Sequence, residues 1–232
     1  MKEKKKLKPN RRYSKTWATG LVVLAGLLVL GGCSSNGAGG NDAPASPADT
    51  DFSAAATTGT TAAANVSSSG GDGSTVGGQL GLGLNLYSAF SAGYLSVWDG
   101  TTGTYTYGEA TVTVSQSGDT WTWTYTDGSE SVVIEITRGS GRWTFTMTVN
   151  DVLAMDGYAS YDGMRGRVTV YDEYETALYQ ITWEPGSPSL VYTIKWDYVE
   201  GSPAETATVR TNEAGTAGTY TYGGSTVSWS AP

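Results

Sequence analysis

From residue 80 onward, apolar and polar positions alternate with a period of two in run after run. Trp121, Trp123 and Tyr125 alternate with Thr122, Thr124 and Thr126. Trp143, Phe145, Met147 and Val149 alternate with Thr144, Thr146 and Thr148, and Tyr192, Ile194, Trp196 and Tyr198 with Thr193, Lys195 and Asp197. One apolar and one polar face is the signature of a half-buried strand. Turn-forming positions separate these runs near Gly108, Gly118, Gly128, Ser140, Asn150, Gly163, Tyr174, Ser187, Gly201, Ala214 and Gly223. Asp127-Gly128 and Asp162-Gly163 are hairpin dipeptides, whereas Gly186-Ser187-Pro188 and Gly201-Ser202-Pro203 read as longer loops. With no helical segment intervening, sequence neighbours pair antiparallel. The fold expected is all-β: a single antiparallel meander of about ten to twelve strands, curled into a barrel or calyx or else strongly twisted.

The stretch from Leu80 to Trp98 carries two periods at once. Leu80, Leu82, Leu84 and Leu86 alternate, while Leu86, Phe90, Tyr94 and Trp98 stand at i+4 spacing. The second pattern predicts a short helix near residues 85–97 that packs on, or plugs, the sheet. Gly103-Thr104-Tyr105-Thr106-Tyr107-Gly108 recurs as Gly218-Thr219-Tyr220-Thr221-Tyr222-Gly223, each copy followed by Thr-Val (Thr111-Val112 and Thr226-Val227). The two copies mark the first and last hairpins as equivalent, which suits a sheet whose ends meet; independent convergence of Thr/Tyr-rich hairpins is the other explanation. Residues 33–79 are mostly Gly, Ala, Ser and Thr, with Phe52, Val66 and Val76 the only sizeable apolar groups. Such a segment buries too little to offset the entropy of ordering, and its alanine triplets, 54–56 and 62–64, fall below nucleation length. The expected division is therefore a signal peptide at 1–32, a disordered tether at 33–79 and a β-meander domain at 80–232.

Charge divides the chain at the same place. The formal net charge of −8 conceals eight Lys/Arg against Glu3 in residues 1–32, and six Lys/Arg against twenty-one Asp/Glu in residues 33–232. A mature chain without the basic segment is a polyanion that phosphate backbones repel, so no nucleic acid is expected as a partner. There is no His, which removes Ser–His–Asp and Cys–His nucleophile pairs and His-ligated metals. Cys33 is the single cysteine, so no intramolecular disulfide forms.

The basic stretch Lys2 to Lys15 precedes the apolar run 21–30 and then Leu30-Gly31-Gly32-Cys33. Ten helical residues span about 15 Å, half of a bilayer core of about 30 Å, so the run is short for a permanent membrane span. Over residues 1–33 the chain resembles a bacterial lipoprotein precursor, in which a Leu-small-small-Cys lipobox follows the apolar stretch. The resemblance implies cleavage after Gly32, a diacylglyceryl thioether on Cys33 and acylation of the new amino terminus. It also implies a partner, the membrane. Ser34, in place of an Asp after the Cys, favours the bacterial outer membrane, at its periplasmic face or at the cell surface.

The remaining candidates are weaker. Asp172, Glu173 and Glu175 lie together, and Asp156 and Asp162 flank a turn, but no Asp-x-Asp-x-Asp-Gly calcium loop is present. Lys195, the only Lys after the basic segment, alternates outward beside Asp197 as a surface cation. The aromatic residues are the main handle. Trp121, Trp123, Trp143, Trp183 and Trp196 offer flat faces with a polar tip, suited to stacking a sugar or enclosing a small apolar ligand, and equally suited to filling a core. Tyr171 points outward with Arg167 and Thr169. These six residues are the candidate ligand-binding set. No catalytic residue, metal or cofactor is expected. The expected role is a non-catalytic binding or structural module; the alternatives are a purely structural surface protein, and a polysaccharide-acting enzyme that uses carboxylates such as Glu173 and Glu175 alone.

Overall fold

Alternation at every second residue becomes twelve strands. The structure, a computed structural model, describes residues 44–47, 50, 54–90, 101–107, 110–126, 130–196 and 204–231. The strands are β1 (Gly103–Tyr107), β2 (Ala110–Ser117), β3 (Thr120–Thr126), β4 (Ser131–Arg138), β5 (Arg142–Val149), β6 (Val152–Ser160), β7 (Gly166–Tyr171), β8 (Ala177–Pro185), β9 (Leu190–Trp196), β10 (Glu205–Thr211), β11 (Ala217–Tyr222) and β12 (Ser225–Ser230). They form one antiparallel sheet in sequence order. Every turn position read from the sequence falls in an interval between two of these strands.

The sheet is curled but not closed, so the barrel form of the expectation gives way to the open sheet. The ends carrying the repeated hexapeptide therefore do not meet. A closed barrel covers its aromatic face with its own far wall; here two helices provide the cover. They are α1 (Ala54–Ser68) and α2 (Gly73–Phe90), packed on each other and against β8, β9, β11 and β12.

Both helices correct the sequence reading. The segment 33–79 is not a tether throughout, because from Ala54 it is helical and buries Ala55, Ala56, Ala62, Ala63, Val66 and Val76. The expected helix at 85–97 begins twelve residues earlier, at Gly73; residues 91–97, the signal segment 1–32 and Cys33 lie outside the described residues. Smallness is the physical reason for the miss. Methyls and hydrogens give a weak apolar stripe in sequence, yet they let two backbones approach closely. A methyl on Gly77 would collide with Ser67 and the Ala63 carbonyl, and one on Gly59 would collide with Leu84 and the Tyr192 ring. Helices too weak to nucleate alone form here through tertiary packing.

The core lies between these helices and the concave face of the sheet. One row of paired residues runs Trp121, Ile136, Phe145, Gly157, Val168, Ile181, Ile194 and Ala207 across β3 to β10. The next runs Trp143, Ala159, Gly166, Trp183, Tyr192, Val209 and Tyr220. In each row a glycine stands directly beside an aromatic ring. The ring of Phe145 occupies the space where Gly157 lacks a side chain, and the indole of Trp183 does so over Gly166. This interdigitation leaves every residue of the two rows buried.

Candidate functional site

The five candidate tryptophans all belong to this packed layer. Trp121, Trp123, Trp143, Trp183 and Trp196 are 0–7% exposed, so none offers a ring face to a sugar or an apolar ligand in this arrangement. The ligand-binding assignment of these indoles is thus corrected to a core assignment. Trp121 and Trp143 meet edge to face at 5.5 Å, Trp143 meets Tyr161 at 5.6 Å, and Tyr87 of α2 lies 4.8 Å from Trp183. Two of their polar tips are used internally as well. Trp143 Nε1 donates to Thr50 Oγ1 at 2.8 Å and Trp183 Nε1 to the Gly163 carbonyl at 3.0 Å.

Two tyrosines outside the candidate set tie the cover to the sheet. Tyr192 Oη donates to the Ala55 carbonyl at 2.6 Å, and Tyr179 Oη to the Gln79 carbonyl at 2.7 Å. The Tyr192 phenol titrates well above its usual range because burial disfavours the phenolate. At the far edge Asn65 Nδ2 donates to the Gly215 carbonyl and Thr58 Oγ1 to the Glu213 carbonyl, both at 3.0 Å. Nothing in the sequence separates these tyrosines from the other inward aromatics, because the anchors depend on where the helices lie.

Tyr171 is where its alternation put it, on the outer face beside Arg167 and Thr169, and it belongs to a polar cluster there. Burial, together with the carboxylate of Asp156 to which it hydrogen-bonds, raises its pKa. Arg167 Nη2 stands 3.5 Å from Asp156 Oδ2, and Gln180 Nε2 donates to Thr169 Oγ1 at 3.3 Å, with Thr169 buried. Tyr158, one pair along β6, lies between two guanidinium groups: Arg142 Cζ is 4.8 Å from its ring centre and Arg167 Cζ 5.7 Å. The register explains the grouping, since Asp156 faces Thr169 and Tyr158 faces Arg167 across β6 and β7. The phenol is held protonated, and two cations rest on the Tyr158 ring beside the Asp156 carboxylate. What they present is cation edges to an anion.

The acidic group of the β7–β8 connection holds its own turn. Asp172 is buried and its Oδ1 accepts from the Tyr174 and Thr176 backbone N–H groups at 2.9 and 2.8 Å. Glu175 Oε1 accepts from the Leu153 N–H at 3.3 Å, leaving Tyr174 at the tip, 66% exposed. Among the described residues no group of three or more His, Cys, Asp or Glu is placed to hold a metal ion. Lys195 is exposed on the outer face. No family model, curated protein or solved structure matches the chain.

Proposed function

We propose that this chain is an exported envelope protein, lipid-anchored through Cys33 at the bacterial outer membrane, whose folded part is a non-catalytic structural module. The placement is supported by the lone cysteine in Leu30-Gly31-Gly32-Cys33 after a basic and then an apolar segment. The observation that carries the role is the closed aromatic face: the surface suited to a ligand is occupied by α1 and α2. In membrane-extracted protein the intact mass should correspond to a chain beginning at Cys33 and carrying acyl groups; an unmodified chain beginning elsewhere removes the placement.

A binding module for a sugar or small apolar ligand is the second reading, and α2 is what favours it. Gly78 has open space around it and Gly81 only an ordinary contact with Ala63, so two helix-weakening residues stand where packing does not require them. A cover of that kind opens more readily. Tryptophan emission discriminates the two. Emission unmoved by glycans and fatty acids supports the structural module, and a saturable change with any of them replaces it with the carrier.

A further inference from the structure

We infer that two copies of this chain associate edge to edge through β12, each strand pairing antiparallel with its twin about a two-fold axis at Ser228. The inference goes beyond the proposed function and depends neither on Cys33 nor on a ligand. An open sheet leaves two edge strands, β1 and β12, each with a row of backbone groups that its single neighbour does not use. Natural sheets blunt such edges with charged side chains, proline or a bulge. β12 has none of these. Its sequence, Ser225-Thr226-Val227-Ser228-Trp229-Ser230, is uncharged, it pairs with β11 without a register shift, and every residue of it but Trp229 is exposed. β1 is the less open edge, because the chain entering it turns back to meet it: Tyr105 Oη donates to the Thr101 carbonyl at 2.9 Å.

The phase of the hydrogen bonds identifies the groups at the open edge. The Ala231 N–H donates to the Thr216 carbonyl at 2.6 Å, one pair beyond Ala217 and Ser230. Bonded pairs alternate with non-bonded ones along an antiparallel ladder, so Trp229, Val227 and Ser225 turn their N–H and C=O groups toward β11. Thr226, Ser228 and Ser230 turn theirs away from it, and among the described residues no strand lies there. Spacing then selects the register. With Ser228 opposite its twin, Thr226 stands opposite the partner's Ser230 on both sides of the axis, and each of these N–H groups meets a carbonyl. A slip of two residues either way leaves one of the three beyond the end of the partner strand. A slip of one sets inner side chains against outer ones.

A second observation selects the same register. Val227 faces the side on which its pair partner Tyr220 is buried, yet it is 37% exposed, because no strand lies beyond it. About the Ser228 axis it stands opposite the partner's Trp229 in a non-hydrogen-bonded pair, with Cα atoms about 4.5 Å apart. The exposed isopropyl group thus leaves water against an indole, twice in the dimer. On the outer face Thr226, already 2.9 Å from Thr221 through their hydroxyls, meets a second hydroxyl residue. Apolar pairs on one face and hydroxyl pairs on the other are combinations that stabilise neighbouring strands. A two-fold axis normal to the sheet also keeps both concave faces, with α1 and α2, on one side, so the two sheets continue into each other.

The test uses the full chain in mild detergent, with its mass followed by sedimentation velocity. Wild type should be a dimer that dissociates on dilution. Ser228→Lys, at an exposed position, sets two ammonium groups opposite each other at the axis and should weaken the dimer roughly fivefold or more. Thr104→Lys, exposed on β1, should leave it unchanged. Oxidation gives a readout independent of affinity. Ser228→Cys should form a disulfide with its twin, since facing Cα atoms about 5.5 Å apart lie within reach. Thr226→Cys alone should not, because its twin stands roughly 14 Å along the strand, but mixed with Ser230→Cys it should. Peptide mass spectrometry locates each disulfide, so that a link through Cys33 is not counted. A monomer at all concentrations, a dimer indifferent to Ser228→Lys, as association through the apolar run 21–30 would be, or linkage of Thr226→Cys to itself overturns the proposal. So do dissociation by Thr104→Lys and growth beyond a dimer, either of which would mean that β12 meets β1 of the next copy.

Discussion

The repeated hexapeptide gives the molecule two hairpins built from the same residues in the same register but set in different surroundings. In β1–β2, Tyr105 faces Val112 and Thr106 faces Thr111; in β11–β12, Tyr220 faces Val227 and Thr221 faces Thr226. Yet Tyr105 is half-buried and Tyr220 is 3% exposed. Two neighbours account for the difference. β11 has β10 on its other side whereas β1 is an edge, and α1 packs on β11 and β12. The hexapeptide fixes pairing within the hairpin; what lies beside and above it fixes how much each side chain contributes.

The largest expected effect comes from removing the matched tyrosines. Tyr220→Ala deletes a buried ring between sheet and helices and should cost about 3–5 kcal/mol, the range for buried aromatic truncations. Tyr105→Ala should cost no more than about half of that, since the ring is already partly in water and its hydroxyl bonds to Thr101 within the exposed edge. Urea midpoints at unchanged m-value measure both. Equal losses would show that both hairpins are covered alike.

The matched glycines separate edge from interior more directly. A methyl on Gly218 would run into the Arg210 carbonyl and the Thr211 backbone, whereas one on Gly103 meets nothing within 4 Å. Gly218→Ala should therefore cost about 1–3 kcal/mol through a backbone that must shift. Gly103→Ala should stay within about 0.5 kcal/mol of wild type. Thermal midpoints of the two variants, compared at one pH, check the difference.

The same contrast explains what could be read in advance. Strand number, turn positions, antiparallel order and the inward set were legible because Thr alternating with Trp, Tyr and Ile is a strong period-two signal. Asn150 and Asp151, both at positive φ, closed a hairpin where a turn was expected without any glycine. The helices were illegible because their contact faces are Ala55, Gly59, Ala63, Gly73 and Gly77, residues whose value lies in closeness rather than hydrophobicity. That miss carried the site with it: an aromatic face with no visible cover looks like a ligand platform. Tyr171 was placed correctly on the outer face, but its companions Asp156, Tyr158 and Arg142 come from other strands and required the register.

Alkaline pH probes the covered side through Tyr192. Tyr192 is neutral in the folded protein with its pKa raised by burial, while in the unfolded chain it ionises near pH 10. A folded pKa above the unfolded value means stability is intact below pH 10 and falls as pH rises beyond it. The slope from this one group approaches about 1.4 kcal/mol per pH unit. Tyr192→Phe should cost about 1 kcal/mol at pH 7, through the lost bond to the Ala55 carbonyl, and should make the alkaline decline shallower by one proton. Unfolding free energies between pH 9 and about 11 measure it; an unchanged slope would mean Tyr192 reaches water through an open cover.

The smallest effect has the opposite sign and asks whether the cover is a separate unit. Gly78 is an exposed residue of α2 with nothing within 4 Å of where a methyl would sit. Alanine there restores helix propensity worth up to about 1 kcal/mol without disturbing a contact. If α1 and α2 open before the sheet does, Gly78→Ala should slow amide hydrogen exchange in α2 and in the strands it packs on, β8, β9 and β11. Amides of β1 and β2, on which neither helix is principally packed, should exchange as in wild type. The two copies of the hexapeptide then become internal reporters: Tyr220 and Thr221 gain protection while Tyr105 and Thr106 do not. A uniform gain across both hairpins would mean that helices and sheet unfold together, and the glycines of α2 would then lower the stability of the whole domain rather than of its cover.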